Sequence, residues 1–274
     1  MIISKCICKK KSSFIPFIVY KNEAVFKEYE ESVIGKCIRC GILKTFPSDK
    51  NKTFNPIITK AADYEKRRRE FEELFTPIVS VIEKTIKIKG AVLDVGCSSG
   101  ILLSLLKQRG FFVSGIEPNK NAYTLARKSL KNNIFFGTLS QFSKQSNKKF
   151  NCIIYNHVLE HIEKINEEFV LINKHLTKDG VLIIGVPNTD NVIFKVRRKY
   201  WESLLPNEHV WHFNTNYLKK YLETRRYKVL HTLFDDDQRK SYPLVKRIYF
   251  TLLTFLNKIM HTGEAVLIIS QKQI

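Results

Sequence analysis

The run of residues from Val92 to Gly100 constrains the fold and the function of this chain more than any other stretch. It reads Val-Leu-Asp-Val-Gly-Cys-Ser-Ser-Gly and continues into the apolar, helix-forming residues 101–106. This pattern predicts a buried strand, a tight turn and the start of a helix, where glycines let a ligand approach and backbone N–H groups are unpaired. The dinucleotide pattern Gly-x-Gly-x-x-Gly is absent, because position 98 is Ser and position 101 is Ile. A loop that grips a pyrophosphate is therefore disfavoured.

Acidic residues mark the ends of the first two predicted strands. Asp94 would repel a phosphate but suits a ligand that carries an ammonium group. The next predicted strand covers residues 111–116 and ends in Glu117, whose carboxylate can accept two hydrogen bonds from a ribose diol. A ligand that joins an amino acid to a nucleoside needs both features, and S-adenosylmethionine (SAM) is such a ligand.

With these residues the sequence resembles the class I SAM-dependent methyltransferases, whose first motif has the pattern seen in Asp94-x-Gly96-x-Ser98-x-Gly100. Ser98 replaces the middle glycine of the commonest form, and the resemblance covers about residues 37–272. It implies a Rossmann-like fold and SAM as the cofactor. Where an acidic residue often meets the adenine amino group, this chain has Thr138 and Leu139. The cofactor contacts expected from the loop and from the resemblance are Asp94, Gly96, Cys97, Ser98, Gly100, Glu117, Pro118, Leu139 and Asn156.

The alternation of strand and helix patterns predicts an α/β fold with a doubly wound, mostly parallel sheet. The length of 274 residues suits one large domain, or one domain with a small appendage. We divide the chain into a cysteine-rich segment, residues 1–60, and a methyltransferase domain, residues 61–274. A helix over residues 61–88, with Asp63 as a possible cap, should flank the cofactor site. The resemblance implies that the last strand, residues 265–270, enters the sheet antiparallel.

A histidine pair follows the fourth predicted strand. Residues 156–162 read Asn-His-Val-Leu-Glu-His-Ile and resemble the Leu-Glu-His signature of the group that includes ubiquinone-biosynthesis O-methyltransferases and many enzymes of polysaccharide gene clusters. An oxygen acceptor must lose its proton, and histidine is the usual base. We expect His161 to be that base and His157 to lie closer to the cofactor, on the same face if the stretch is helical. A capping or packing role for His161 is the alternative. His209 and His212 line the acceptor pocket or only pack.

Four cysteines lie in the first forty residues. Cys37 and Cys40 form a Cys-x-x-Cys-Gly knuckle, and Cys6 and Cys8 form a tighter pair. Four soft ligands in two pairs suit a tetrahedral structural zinc. Disulfides are not expected in a cytoplasmic chain, and free thiols in an unstructured segment are the alternative to zinc.

The formal net charge of +20, with a pI near 9.7, leaves the partner open. It favours nucleic acid or an anionic membrane surface, or it reflects only a Lys-rich composition. An RNA methyltransferase is a weaker hypothesis than a sugar, glycolipid or small-molecule O-methyltransferase, because no Asn/Asp-Pro-Pro-Tyr/Phe and no catalytic Cys follow the fourth strand. A non-catalytic binding module is weaker still. Without a signal peptide or a spanning apolar stretch, we expect a cytoplasmic protein, with peripheral membrane contact left open.

Residues 243–260 predict a helix whose apolar surface is wider than one core-facing stripe needs. Arg247, Thr251, Thr254 and Lys258 recur at three- and four-residue steps, and apolar residues fill most other positions. The helix is buried between the last strands, forms a dimer contact, or docks on anionic lipid with Lys246, Arg247 and Lys258 as basic flanks.

Overall fold

The computed structural model describes residues 1–20, 32–46, 60–86, 89–237, 239 and 241–273. Twelve strands are found there: β1 (Ile2–Cys6), β2 (Lys9–Val19), β3 (Val33–Cys37), β4 (Leu43–Phe46), β5 (Ala91–Val95), β6 (Phe112–Glu117), β7 (Ile134–Phe136), β8 (Phe150–Asn156), β9 (Leu176–Pro187), β10 (Trp211–His212), β11 (Tyr227–Asp235) and β12 (Ala265–Lys272). The same residues hold nine α-helices: α1 (Lys60–Lys66), α2 (Arg68–Thr85), α3 (Ile101–Gln108), α4 (Lys120–Leu130), α5 (Leu139–Gln145), α6 (Ile165–His175), α7 (Val192–Arg197), α8 (Thr215–Thr224) and α9 (Leu244–Ile259).

Seven strands form the large sheet in the order β11-β12-β9-β8-β5-β6-β7. The five strands from β9 to β7 are parallel, and β12 pairs antiparallel with both β9 and β11. The central strands are buried on both faces, which explains their continuous apolar sequences. The carboxyl ends of β5, β6, β8 and β9 meet at one edge, where open α/β sheets bind ligands. The predicted doubly wound sheet and its antiparallel last strand are confirmed.

A second sheet joins the N-terminal segment to the rest of the protein. Its order is β1-β2-β3-β4-β10, so residues 211–212 extend a sheet that otherwise comes from the first 46 residues. Trp211 pairs with Lys44, and the indole N–H donates to the carbonyl of Ile162 at 3.1 Å. Trp211 is buried, and Phe14 belongs to the same apolar cluster as the core of the large sheet. The two sheets therefore share one hydrophobic core.

The structure differs from the predicted elements in several places. The helix predicted over residues 61–88 is two helices, because Arg67 lies in a turn between α1 and α2. Asp63 lies inside α1, so its proposed capping role is wrong, and residues 87–88 fall outside the described part of the chain. Helices α5 and α7 were not predicted. No helix in the described ranges is both long and apolar enough to cross a membrane.

Helix α9 is not buried between the last strands. Within it only Phe250, Leu253 and Asn257 are buried, and they pack towards α7 and the turn that follows it. The wide apolar surface predicted from the sequence is present, but most of it faces solvent. The buried-helix interpretation is therefore wrong.

A substitution of Trp211 tests how strongly the contact between the two sheets contributes to the stability of the fold. Replacing Trp211 by Ala removes a buried aromatic side chain and its hydrogen bond, so we expect the free energy of unfolding to fall by about 3–5 kcal/mol. Phe112 is 71% exposed, and Phe112→Ala should change it by less than about 0.5 kcal/mol. Urea denaturation of both variants measures the difference. Equal stability of the two variants would show that the sheets fold independently.

Candidate active site

The loop between β5 and α3 has the backbone that its sequence predicts. Gly96 and Gly100 have φ of 74° and 78°, a left-handed conformation that favours glycine. A side chain at Gly96 would also collide with Val158, since an added Cβ would lie 2.5 Å from its Cγ2. Ser98 adopts φ of 50° without being glycine. The two glycines thus let the backbone adopt this turn at the carboxyl end of β5.

Asp94 and Glu117 lie close together at the ends of neighbouring parallel strands. Burial, and to a lesser extent the nearby Glu117, raises the pKa of Asp94 to about 8. Burial also raises the pKa of Glu117, although its carboxylate accepts hydrogen bonds from the backbone N–H of Ser98 at 2.8 Å and of Asn119 at 2.7 Å. Within the described ranges neither carboxylate forms an ion pair. A cationic ligand would favour the ionised form of both carboxyl groups, as the ammonium and sulfonium of SAM would.

The other residues expected to contact the cofactor differ in burial and in whether their side chain or only their backbone is available at the site. Cys97 turns its thiol into the core against Gly115, so only its backbone lines the loop. Pro118 is exposed and follows Glu117 directly. Leu139 begins α5 but is buried in the core, which leaves its backbone rather than its side chain for an adenine contact. Asn156 ends β8 half-buried, with its side chain against Gly185.

His157 follows β8 in a strained conformation. Its φ is 56°, its backbone N–H donates to the carbonyl of Gly185 at 2.8 Å, and its side chain is half exposed. Positive φ in a non-glycine residue is uncommon and concentrates at functional sites. The stretch after it is a 3₁₀ turn, Leu159–His161, and not an α-helix, so the shared helical face expected for His157 and His161 is absent.

His161 instead lies beside His209 and a buried carboxylate, Glu160. The two imidazole rings are 4.7 Å apart in an edge-to-face arrangement, and one ligand atom from each of the three residues lies within 4.8 Å of the other two. Glu160 is 1% exposed, and neither of its carboxylate oxygens has a hydrogen-bond partner in the described part of the chain. The nearest group, Nδ1 of His157, is 3.5 Å away, which is too long for a good hydrogen bond.

The hydrogen bonds of His161 and His209 indicate which ring nitrogens carry a proton and which keep a lone pair. Nδ1 of His161 lies 2.9 Å from the Glu208 carbonyl and Nδ1 of His209 lies 3.0 Å from the Ser203 carbonyl. A carbonyl only accepts, so both Nδ1 atoms carry the proton and both Nε2 atoms keep a lone pair in the neutral ring. Burial lowers the pKa of His209 to about 4. Burial opposes ionisation of Glu160, but the neighbouring His157, His209 and His161 outweigh it and lower its pKa. The cluster can therefore take up a proton or hold a divalent cation.

His212 takes no part in this cluster through its ring nitrogens. Its Nε2 lies 2.8 Å from the hydroxyl of Thr45 in β4, and burial lowers its pKa to about 3. Of the two histidines expected at the acceptor pocket, His209 lies at the candidate site and His212 connects β10 to β4 within the second sheet.

An open cavity of about 630 Å³ lies between α9 and the carboxyl end of β11. This volume is in the usual range for small-ligand sites. Burial raises the pKa of Asp235 on its wall, and His157 is near enough to oppose that shift electrostatically. Its lining is mostly charged or hydroxyl-bearing: Thr232, Leu233, Phe234, Asp235, Asp236, Asp237, Arg247, Phe250, Thr251, Thr254, Lys258, His261 and Thr262.

The four N-terminal cysteines converge at one point. The Sγ–Sγ distances are 3.3 Å for Cys6 and Cys8, 3.7 Å for Cys6 and Cys40, and 3.9 Å for Cys8 and Cys37. These separations match the edge of about 3.8 Å in a tetrahedron of sulfurs around zinc, and they exclude a disulfide. A hydrogen bond from Cys6 lowers the pKa of Cys40, which favours a thiolate at that position. The residues present fit a zinc ion.

Comparison with known proteins places this arrangement in a family. The profile of a family described as "Methyltransferase domain" matches residues 64–232, more than half of the chain. The chain belongs to this methyltransferase family. The match begins in α1 and ends in β11, so it contains the glycine loop, the carboxylate pair and the histidine cluster.

Curated relatives and solved structures agree with the family. The ubiquinone biosynthesis O-methyltransferase of Rickettsia canadensis is 25% identical over 138 residues, which cover 48% of this chain and 56% of that protein. The chain thus spans about half the length of the curated relatives it matches. The structure of a SAM-dependent methyltransferase from Archaeoglobus fulgidus superposes with a TM-score of 0.57 at 20% identity, covering 78% of this chain and all of that one. The magnesium protoporphyrin IX methyltransferase of Synechocystis, with bound SAH, gives 0.53 at 15% identity, covering 80% and 90%. These structures show the fold.

Two parts of the candidate site of this methyltransferase were not assigned from the sequence. Glu160 lies within the Leu-Glu-His stretch, and a carboxylate between two histidines is a signal that could have been used. The cavity wall of Asp235, Asp236 and Asp237 is an acidic run directly after a strand, and its position at the ligand-binding edge was equally readable.

The raised pKa of Asp94 predicts that the protein releases a proton when SAM binds. Below pH 8 the carboxyl of the free protein is mostly protonated, and a cationic ligand favours its ionised form. Between about pH 6 and 7, where the ligand's α-amino group stays protonated, affinity should therefore rise with pH by up to about tenfold per unit. Calorimetry in buffers of different ionisation enthalpy should detect the released proton. Asp94→Asn should bind more weakly and release none; a variant that still released a proton would exclude Asp94 as its source.

Proposed function

We propose that this chain transfers the methyl group of SAM to a hydroxyl oxygen of a small polar acceptor, a sugar or the sugar part of a glycolipid in cell-surface polysaccharide or related biosynthesis. The observation that carries the proposal is the position of His161, a proton-accepting imidazole, at the sheet edge that also holds the glycine loop and the Asp94–Glu117 pair. The family match supports methyl transfer, and the curated relatives are named as O-methyltransferases.

The chain's own residues would orient the methyl donor and remove the acceptor's proton. SAM supplies a methyl group on a positively charged sulfur, which is already a good leaving group. The loop from Asp94 to Gly100 and the carboxylate of Glu117 would hold the donor, and alignment supplies most of the rate. Nε2 of His161 would take the hydroxyl proton as the oxygen attacks the methyl carbon. Ionised Glu160 would stabilise the imidazolium that forms, as the carboxylate of a catalytic triad does.

The cavity under α9 supports a polar acceptor. Carboxylates on the β11 side face hydroxyl and cationic groups of Thr251, Thr254, Arg247 and Lys258 on the α9 side. A polyhydroxylated ring can donate to the carboxylates and to the threonine hydroxyl oxygens, whose own protons go to helix carbonyls, and it can accept from Arg247 and Lys258. An apolar ring would displace water from these charged groups and form no hydrogen bond with them, which is costly in a partly desolvated site.

His161→Ala tests the proposed base. Turnover should fall by about two to four orders of magnitude while SAM affinity stays nearly unchanged, since the imidazole acts on the acceptor. His231→Ala, which removes an exposed histidine on β11, is the control and should keep full turnover. The measurement is transfer of labelled methyl groups from SAM to a panel of glycans and glycolipids.

Three results would contradict this assignment. Full turnover in His161→Ala with none in His157→Ala would reverse the two roles. A second equivalent of metal, lost in Glu160→Gln but kept in Cys37→Ser, would make the cluster of Glu160, His161 and His209 a cation site and the base a metal-bound group. Labelled methyl groups that appear only in RNA would replace the small acceptor by nucleic acid.

We also propose that Cys6, Cys8, Cys37 and Cys40 hold one structural zinc ion. The sulfur separations support it, as does the position of the four thiols at the turns that connect β1 to β2 and β3 to β4. Four-thiolate sites are closed and contribute directly to folding. Because β4 pairs with β10, the zinc would stabilise the segment that carries His209.

Elemental analysis tests this proposal. Protein purified without chelator should contain about one zinc per chain, and Cys37→Ser should lose it. Turnover should then fall more than SAM affinity does, because the damage lies on the acceptor side of the site. Cys152→Ser, which changes a buried cysteine of β8 outside the cluster, should keep its zinc. Metal-free protein in which all four N-terminal thiols titrate freely would refute the zinc site.

A further inference from the structure

Helix α9 exposes an apolar sector that faces away from the protein. At about 100° per residue, the side chains divide into three sectors. Phe250, Leu253 and Asn257 face the core, and the stripe from Arg247 to Lys258 lines the cavity. The remaining sector, about 140° wide, is exposed along the whole helix and consists of Leu244, Val245, Ile248, Tyr249, Leu252, Phe255, Leu256 and Ile259.

The exposure of this sector is unusual for a helix of a folded domain. Val245 is 80% exposed, and Leu252, Phe255 and Ile259 are each 59% exposed. An amphipathic helix normally turns its apolar side to the core, and contiguous exposed apolar surface marks an interaction site. Here the inward-facing cavity stripe is polar and the outward-facing sector is apolar.

The charges on α9 itself are all positive, and the acidic residues Asp235, Asp236 and Asp237 lie across the cavity from Arg247 and Lys258. Arg247 and Lys258 lie in the cavity stripe, on one side of the sector, and Lys246 lies in the first turn of the helix, beyond Tyr249 on the other side; α9 contains no acidic residue. The neighbouring α7 packs against α9 and adds exposed Lys195, while the turn after it adds exposed Arg198. The whole chain carries a formal charge of +20. The sector therefore combines an apolar centre with a basic rim.

We propose that α9 docks this protein on an anionic membrane surface, with the apolar sector at the level of the acyl chains and the basic rim among the headgroups. An apolar face with Lys and Arg on its flanks is the pattern of interfacial helices. A second copy of the chain fits less well, because a two-fold contact would bring two basic rims together. The position of the cavity beside α9 then points to a lipid-linked sugar as the acceptor; this last step rests on the proposed function, and the docking does not.

Vesicle flotation tests the docking without any assay of methyl transfer. Wild-type protein should float with vesicles containing phosphatidylglycerol at low salt, and much less with pure phosphatidylcholine. Partitioning should weaken towards about 1 M salt, where the Debye length is only about 3 Å. Each basic residue near an anionic surface is worth about fivefold in partitioning, so Lys246→Glu with Lys258→Glu should reduce it by more than tenfold.

Matched variants distinguish membrane binding through the apolar sector from non-specific hydrophobic adsorption. Leu252→Glu with Phe255→Glu should abolish flotation, since each buried side chain is worth about tenfold or more. Val170→Glu, on the exposed side of α6, changes a side chain that is 64% exposed and should float like wild type. Both residues of the double variant are exposed, so thermal melting and SAM calorimetry should match wild type.

Three outcomes would overturn the proposal. Folded wild-type protein that fails to float at low salt excludes docking. Flotation that survives in the Leu252→Glu and Phe255→Glu variant places the contact elsewhere. Dimers that sediment at micromolar protein and dissociate in that variant, without vesicle binding, would assign the sector to a second copy of the chain. If vesicles bind but neither glycans nor glycolipids accept methyl groups, the docking stands and the proposed function fails.

Discussion

The cofactor end of the site depends on two buried carboxylates that have no counter-cation in the described structure. Burial holds the pKa of Asp94 near 8, and the neighbouring Glu117 adds to the effect. Glu117 also fixes the loop, because one oxygen accepts from the N–H of Ser98 and the other from the N–H of Asn119. The same side chain thus sets the shape of the backbone and the negative charge in front of it. A neutral or anionic ligand could fit the shape of the loop but would not be attracted by the carboxylates. A cationic nucleoside conjugate would have both the fit and the attraction, and it therefore suits this site.

This half of the site could be predicted because its determinants are local. A strand, two glycines and an acidic residue at the next strand end lie within 26 residues, from Val92 to Glu117. Left-handed φ at Gly96 and Gly100 is a property of each residue and its neighbours. The order of the parallel strands then follows from the fold class. Even so, the burial of the Leu139 side chain and the inward turn of the Cys97 thiol were not readable, because they depend on packing across the sheet.

The acceptor half is assembled from distant segments, and there the sequence was less informative. The four-residue spacing of His157 and His161 suggested one helical face, but the positive φ at His157 and the 3₁₀ turn after it separate the two rings. His161 instead meets His209, 48 residues later, across Glu160. Helix α9 shows the same limit. Its periodicity indicated a polar stripe and a wide apolar surface. Periodicity alone could not show that the stripe lines a cavity and that most of the apolar surface faces solvent.

The N-terminal sheet connects the cysteine cluster to the catalytic candidates through backbone hydrogen bonds. The N–H of Thr45 in β4 donates to the carbonyl of Val210, and the N–H of Val210 donates to the carbonyl of Glu160, both at 2.9 Å. His209 directly precedes Val210, and His212 is held by the hydroxyl of Thr45. These hydrogen bonds fix the positions of the three segments relative to one another, because each bond holds one segment against the next. The cysteine-rich segment therefore does more than cover the sheet: it positions the segment that brings His209 to Glu160. The glycine loop between β5 and α3, which contacts β6, α4 and Val158, lies outside this chain of hydrogen bonds.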